Sequence, residues 1–216
     1  MALLKKFYLS SVFVATLFCF ILISLRVYFS GHITFIFLVW NLFLAWIPYL
    51  ISQHLTRNHP KTSRAVLLLL GCVWLLFFPN APYLLTDLIH LKPRTDAPFW
   101  FDLILLISFS WTGVLMAYKS LHGFQQIVHH YFGKTKALLF VVSCSFLSGY
   151  GIYLGRFQRY NSWDVLTNPV NLLYDIKSTL FHPFAHLHTY GVSIFFGLFL
   201  LLGYYSIFKL RSNEEL

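Results

Sequence analysis

The sequence predicts an all-α protein, a polytopic bundle of about six transmembrane helices with short interfacial helices on its outer face. Three observations carry this expectation. Of 216 residues, 58% are hydrophobic and only 11% charged, against about 25% charged in a soluble domain, so the chain has too little polar surface to stay in water. The apolar residues gather into runs suited to crossing about 30 Å of hydrocarbon. Lysines and arginines sit in short groups between those runs, as positive-inside sorting distributes them. The net charge of +9 forms no basic stripe of the kind that binds nucleic acid, so the bilayer rather than nucleic acid is the expected partner. Cys19, Cys72 and Cys144 lie within apolar runs and lack metal-ligand spacing, which predicts buried small hydrophobes.

In order, Lys5 and Lys6 precede a charge-free run over residues 7–25, closed by Arg26. The run is too long for a signal peptide and has no small-residue cleavage site, so an uncleaved first span is expected. The second span covers residues 33–51, with Asn41 in its middle and Pro48 near its end. Asn41 suits either an interhelical hydrogen bond or a transport path. A polar link with Arg57, His59, Lys61 and Arg64 leads to a short third span, residues 65–79, which stops at Pro79 and Pro82. The fourth span is expected at 100–118, the fifth at 137–155 and the last at 187–208. Between the fourth and fifth, Lys119, His122, His129, His130, Lys134 and Lys136 mark a polar link. Nothing repeats at a fixed period, and residues 1–216 form one membrane domain.

Six spans put both termini on one side. That side carries Lys5, Lys6, Arg57, Lys61, Arg64, Lys119, Lys134, Lys136, Lys209 and Arg211, and the other carries Arg26, Lys92, Arg94, Arg156, Arg159 and Lys177. Ten basic residues against six predict cytoplasmic termini. The same topology sends Asp87, Asp96, Asp102, Asp164 and Asp175 outward, leaving Glu214 and Glu215 inside.

Two polar stretches reach that outer face. In the first, residues 78–91, Tyr83, Asp87 and His90 stand at i, i+4 and i+7, one face of a helix. An acid and an imidazole on one face at a membrane edge are costly to place without a role. In the second, residues 149–164, Ser148, Gly151 and Gly155 share a face that lets a neighbouring helix approach closely. Arg156 and Arg159 follow, suited to snorkelling, to an internal salt bridge, or to holding a phosphate or carboxylate bidentately. Asn161 with Asp164 three residues later has the pattern of an N-cap with an acidic third residue. Asn168-Pro169 predicts the start of another helix, lying on the outer surface over residues 170–181 with Val170, Leu173, Ile176 and Leu180 as its apolar stripe. His182 and His186 are four apart and are weak candidate metal ligands. No phosphate-binding glycine loop, nucleophile elbow or dinucleotide fingerprint occurs, and the identity of any cofactor stays open.

Phe77-Phe78-Pro79-Asn80-Ala81-Pro82-Tyr83-Leu84-Leu85-Thr86-Asp87-Leu88, Trp100-Phe101-Asp102-Leu103, Gly151-Ile152-Tyr153-Leu154-Gly155-Arg156-Phe157 and Asn161-Ser162-Trp163-Asp164 resemble the DUF1361 family of bacterial membrane proteins over about residues 35–205. Related sequences often have Trp-Tyr-Asp where this chain has Trp100-Phe101-Asp102. The resemblance implies an integral protein of the bacterial cell membrane and assigns no reaction.

Three functions stay open. A membrane-embedded enzyme acting on a lipid-linked or envelope substrate would use Asp87, His90, Asp102 and Arg156 catalytically, with Asn80, Tyr83, Arg159, Asn161, Trp163 and Asp164 binding the substrate. A non-catalytic subunit or scaffold would use the same polar cluster as a structural lock. A small transporter would continue a polar path inward through Asn41.

Overall fold

The computed structural model describes the backbone of residues 2–213 and the side chains of residues 11–208. The side chains of Lys5, Lys6, Lys209 and Arg211, those that open the first span, and Glu214 and Glu215 altogether lie outside what is described. The described chain is helical with no strand: α1 (Ala2–Ser30), α2 (Phe37–Asn58), α3 (Arg64–Phe77), α4 (Asn80–Tyr83), α5 (Phe99–Arg156), α6 (Asp164–Thr167), α7 (Pro169–Phe181) and α8 (Leu187–Asn213), with 3₁₀ turns at His59–Lys61, Leu84–His90 and Pro183–His186. Four stretches among the described residues are long and apolar enough to cross a membrane: Ser11–Ser30, Arg64–His90, Phe99–Arg156 and Pro183–Phe208. Their exposed aliphatic and aromatic side chains suit contact with lipid rather than water.

The largest departure from expectation is α5. The polar link expected between residues 118 and 137 is helical, because it contains no proline and its lysines, glutamines and histidines tolerate the helix. Straight, 58 residues would extend about 87 Å. The helix instead folds back at Gly133, whose φ of 82° and ψ of 175° are non-helical and suit a residue without a Cβ. The rings of Phe124 and Phe140, on the two arms, come to 6.3 Å.

Trp74 of α3 joins the two arms to the rest of the bundle. It stacks on Phe124 at 4.0 Å, Phe78 at 4.7 Å and Phe140 at 5.8 Å. Its Nε1 donates to Ser120 Oγ at 2.7 Å, which donates in turn to the carbonyl of Pro48 at 3.0 Å. Ser52 Oγ donates to the Ser120 carbonyl at 2.7 Å. In a dry interior an unmade hydrogen bond is expensive, so this relay fixes α2, α3 and α5 in register. α8 packs on the second arm of α5 where Gly149 meets the backbone of Ser193 and Gly197 meets Phe146, leaving no room for a Cβ at either position.

Two smaller expectations are corrected. Cys19 and Cys144 are buried but Cys72 is exposed. Asn168 occupies the N-cap position of α7 but its side chain makes no capping bond, with Pro169 following it as expected.

Candidate functional site

All five aspartates of the chain gather at one end of the bundle, where α1 ends, α2 begins, and both ends of α5 meet the 78–91 segment. That segment is a short α-turn, Asn80–Tyr83, continued as a 3₁₀ helix over Leu84–His90. The tightening to about three residues per turn brings Tyr83, Thr86, Asp87 and His90 round Arg156, the last residue of α5.

Arg156 is saturated by this segment. Its Nη2 pairs with Asp87 Oδ1. Nε and Nη2 donate to Thr86 Oγ1 at 2.8 and 2.6 Å. Nη1 lies 3.2 Å from His90 Nε2, and the guanidinium sits 4.4 Å over the Tyr83 ring. The other oxygen of Asp87 accepts from Asn41 Nδ2 at 2.9 Å. Asp87 is 1% and Arg156 14% exposed. Gly151 and Gly155 make the approach possible: a Cβ at Gly151 would strike Pro79, and one at Gly155 would lie 3.1 Å from Tyr83. The expected small-residue face therefore receives the 79–83 turn.

Asp102 lies in a second cluster. It accepts from Arg26 Nε at 2.6 Å, while Arg26 Nη2 reaches Asp96 at 3.0 Å. Arg26 and Asp102 are 2% and 1% exposed. The Arg26 hydrogen bond holds the Asp96 carboxyl below the usual carboxylate range. Of the residues expected to act together, the structure thus joins Asp87, His90, Arg156 and Tyr83, and sets Asp102 apart with Arg26.

The 157–181 segment covers the same end. Asp164 accepts from the backbone N–H of Asn161 at 2.7 Å and from Thr167 Oγ1 at 2.8 Å, and these bonds lower its carboxyl pKa; the N-cap position of α6 is Trp163 rather than the expected Asn161, and Asp164 is the first helical residue. Asn80 donates to Ser162 Oγ at 2.8 Å and to the Phe77 carbonyl at 3.0 Å, tying the two polar stretches together. Tyr160 donates to Asp175 of α7 at 2.7 Å, and that bond raises its phenol pKa. Trp163 packs edge-on against Trp40 at 6.3 Å. His186 lies 3.0 Å from Ser178 Oγ, while His182 precedes the Pro183–His186 turn and is exposed. Among the described residues no three His, Cys, Asp or Glu side chains converge on a metal position.

Beside the Arg156 cluster lies a cavity of about 790 Å³, within the range of small-molecule sites. Its walls are apolar, from Leu44 of α2, Cys72 and Leu76 of α3, Leu147 and Leu154 of α5, and Leu172 and Ile176 of α7. Asn41, Asn80, Tyr83, Arg159, Tyr160, Asn161 and Ser162 add polar groups. Thr86, Ser148, Tyr160 and Ser162 were not singled out as site residues by sequence. Thr86 does share the i+3 position of the Tyr83 face, and Ser148 belongs to the small-residue face.

Arg159 holds a left-handed φ of 63°, which costs about 1–2 kcal/mol for a residue with a Cβ. Replacing it with glycine is expected to hold or raise the melting temperature of the detergent-purified protein, since the lost strain offsets the extra chain entropy. A fall of several degrees would show that the side chain supports the fold.

The family described as "Protein of unknown function (DUF1361)" matches residues 40–202, a span that contains the 78–91 segment, Asp102 and the 149–164 segment. No curated protein and no solved structure matches the chain.

Proposed function

The chain belongs to the DUF1361 family of proteins of unknown function, and from that premise we propose a multi-pass protein of the bacterial cell membrane that binds an amphiphilic, lipid-linked or envelope molecule at its extracytoplasmic end. In this reading α1, α2, α3, the two arms of α5 and α8 make six crossings. The termini are cytoplasmic, and α6 and α7 lie on the outer face as a cover over the cavity. The charge bias of ten against six supports that orientation.

One observation carries the proposal: a cavity of about 790 Å³ with apolar walls and a set of polar groups, bordering a cluster that holds its framework rigid. The Asp87–Arg156 pair is that framework. Both oxygens of Asp87 and all three nitrogens of Arg156 have partners within the protein, so a ligand meets the rim residues Asn80, Tyr83, Arg159 and Asn161 first. The same saturation favours a second reading, a non-catalytic membrane subunit in which the cluster only locks helices together. A transporter draws less support, because Asn41, the inward end of its polar path, is committed to Asp87.

Native mass spectrometry of protein extracted from membranes separates the two leading readings. The wild type should carry a co-purifying amphiphile. Leu154→Trp, which fills the cavity from the α5 wall, should lose it at an unchanged melting temperature. A wild type that emerges without bound amphiphile, or a Leu154→Trp variant that retains it, would leave the locking subunit as the better account.

A further inference from the structure

Arg159 and Ser148, two of the polar groups lining the cavity, have no hydrogen-bond partner among the described residues. Arg159 lines it, is exposed, and makes no hydrogen bond or ion pair with any described residue. Its cation is thus available, in contrast to that of Arg156. Ser148 is 1% exposed, lines the same cavity from the α5 wall, and its Oγ has no hydrogen-bond partner. A buried hydroxyl without a partner costs about 1–3 kcal/mol, which an acceptor atom of a ligand would recover.

The cavity also has a direction. From Gly155 near the polar end, the wall of α5 continues to Leu147, about 12 Å along the helix. At that depth Leu147 is 50% exposed and Cys72 of α3 is exposed as well. Both line the cavity and both lie on the outer surface of the bundle, so the lower part opens sideways, towards lipid. A ligand fitting this shape has an anionic head, an acceptor oxygen below it and an apolar tail.

We propose that the site takes a phosphate-bearing lipid from the surrounding leaflet, its anionic head at Arg159, its body past Ser148 and its tail leaving between α3 and α5 beside Cys72. This rests on the amphiphile-binding reading above and adds the ligand's charge, its polarity along the groove and its lateral route. Arginine suits a phosphate because its planar fork gives charge-assisted hydrogen bonds. The left-handed backbone at residue 159 turns the chain at the rim, where the α5 helix has ended.

Cys72 supplies the readout, because Cys19 and Cys144 are buried. The full chain, purified in neutral detergent, is treated with N-ethylmaleimide, and modification at Cys72 is followed by mass spectrometry with Cys72→Ser as control. Phosphatidylglycerol or a polyprenyl phosphate, at about ten times its Kd, should slow modification about tenfold, as one-site occupancy requires. Protection by the first identifies an acyl glycerolipid, and protection by the second an isoprenoid. Inorganic phosphate should leave the rate unchanged, since it has no tail. Arg159→Gln should abolish protection by either anionic lipid. If that variant is protected as well as wild type, the head assignment is overturned while the amphiphile site stands. If no lipid slows modification in the wild type, the groove itself is not a lipid site and the underlying reading falls with it.

Discussion

Replacing Arg156 with methionine is expected to destabilise the protein by about 3–5 kcal/mol, the cost of stranding one partner of a buried ion pair. The melting temperature in detergent should fall by about 6–20 °C, at roughly 2–4 °C per kcal/mol for a chain of this size. The magnitude follows from what remains. Asp87, 1% exposed, would keep only the Asn41 hydrogen bond at 2.9 Å, and Thr86 and His90 would lose their guanidinium contacts. Combining Asp87→Leu with Arg156→Met removes both charges, and most of the loss should be regained, because an apolar pair of similar volume avoids the desolvation cost. A double variant that regains its melting temperature and still binds the amphiphile assigns the pair to the framework. A single variant that melts within a degree or two of wild type would show that the pair is not buried in the folded protein, and the framework reading would fail.

Arg26→Met is the second large effect, of the same order, about 3–5 kcal/mol. It strands Asp102, 1% exposed, whose bond to Arg26 joins the end of α1 to the start of α5. This effect has a pH signature. The Asp96 carboxyl is held below the ordinary range by the Arg26 hydrogen bond. A depressed carboxyl pKa contributes stability above its unfolded value, about 3.9, and loses it as pH falls through the folded value. The difference between wild type and Arg26→Met should therefore narrow below about pH 4 and stay flat from pH 5 to 7. Asp96→Asn alone should be slightly less stable than wild type from pH 5 to 7, without the large Arg26→Met loss, and should match wild type below about pH 4. Chemical or thermal unfolding across that range measures both, and an Arg26→Met difference that does not narrow in acid would sever Asp96 from the pair.

The sequence shows its helices because hydropathy and periodicity are local quantities. Runs of apolar residues predict α1, α3 and α8 directly, and the Asn161–Asp164 spacing marks a turn that the Asp164 carboxylate closes at 2.7 Å, although the helix it leads into starts after Trp163. The helical backbone on both sides of the Gly133 kink within residues 118–137 was not legible, because polarity marks where a chain leaves lipid and says nothing about whether its backbone stays helical. Cys72 misled for a related reason: an apolar neighbourhood in sequence is equally compatible with a buried face and a lipid face.

By itself, the amino-acid sequence predicted an all-helical chain with apolar membrane spans, and a topology in which its five aspartates and four of its arginines fall on one side. Only the tertiary structure decided which partners meet there. Arg156 takes Asp87, 69 residues away, Arg26 takes Asp102 across 76 residues, and Arg159 takes neither. Ion pairing between elements depends on how helices pack, which glycines admit a neighbour and where a 3₁₀ turn tightens the chain, and none of these is encoded in the spacing of the charges. The 78–91 segment could be recognised as polar and amphipathic from its residues alone. That it frames a cavity of about 790 Å³ instead of filling one follows from Gly151 and Gly155, which let Pro79 and Tyr83 close on α5 and leave the space beside them open.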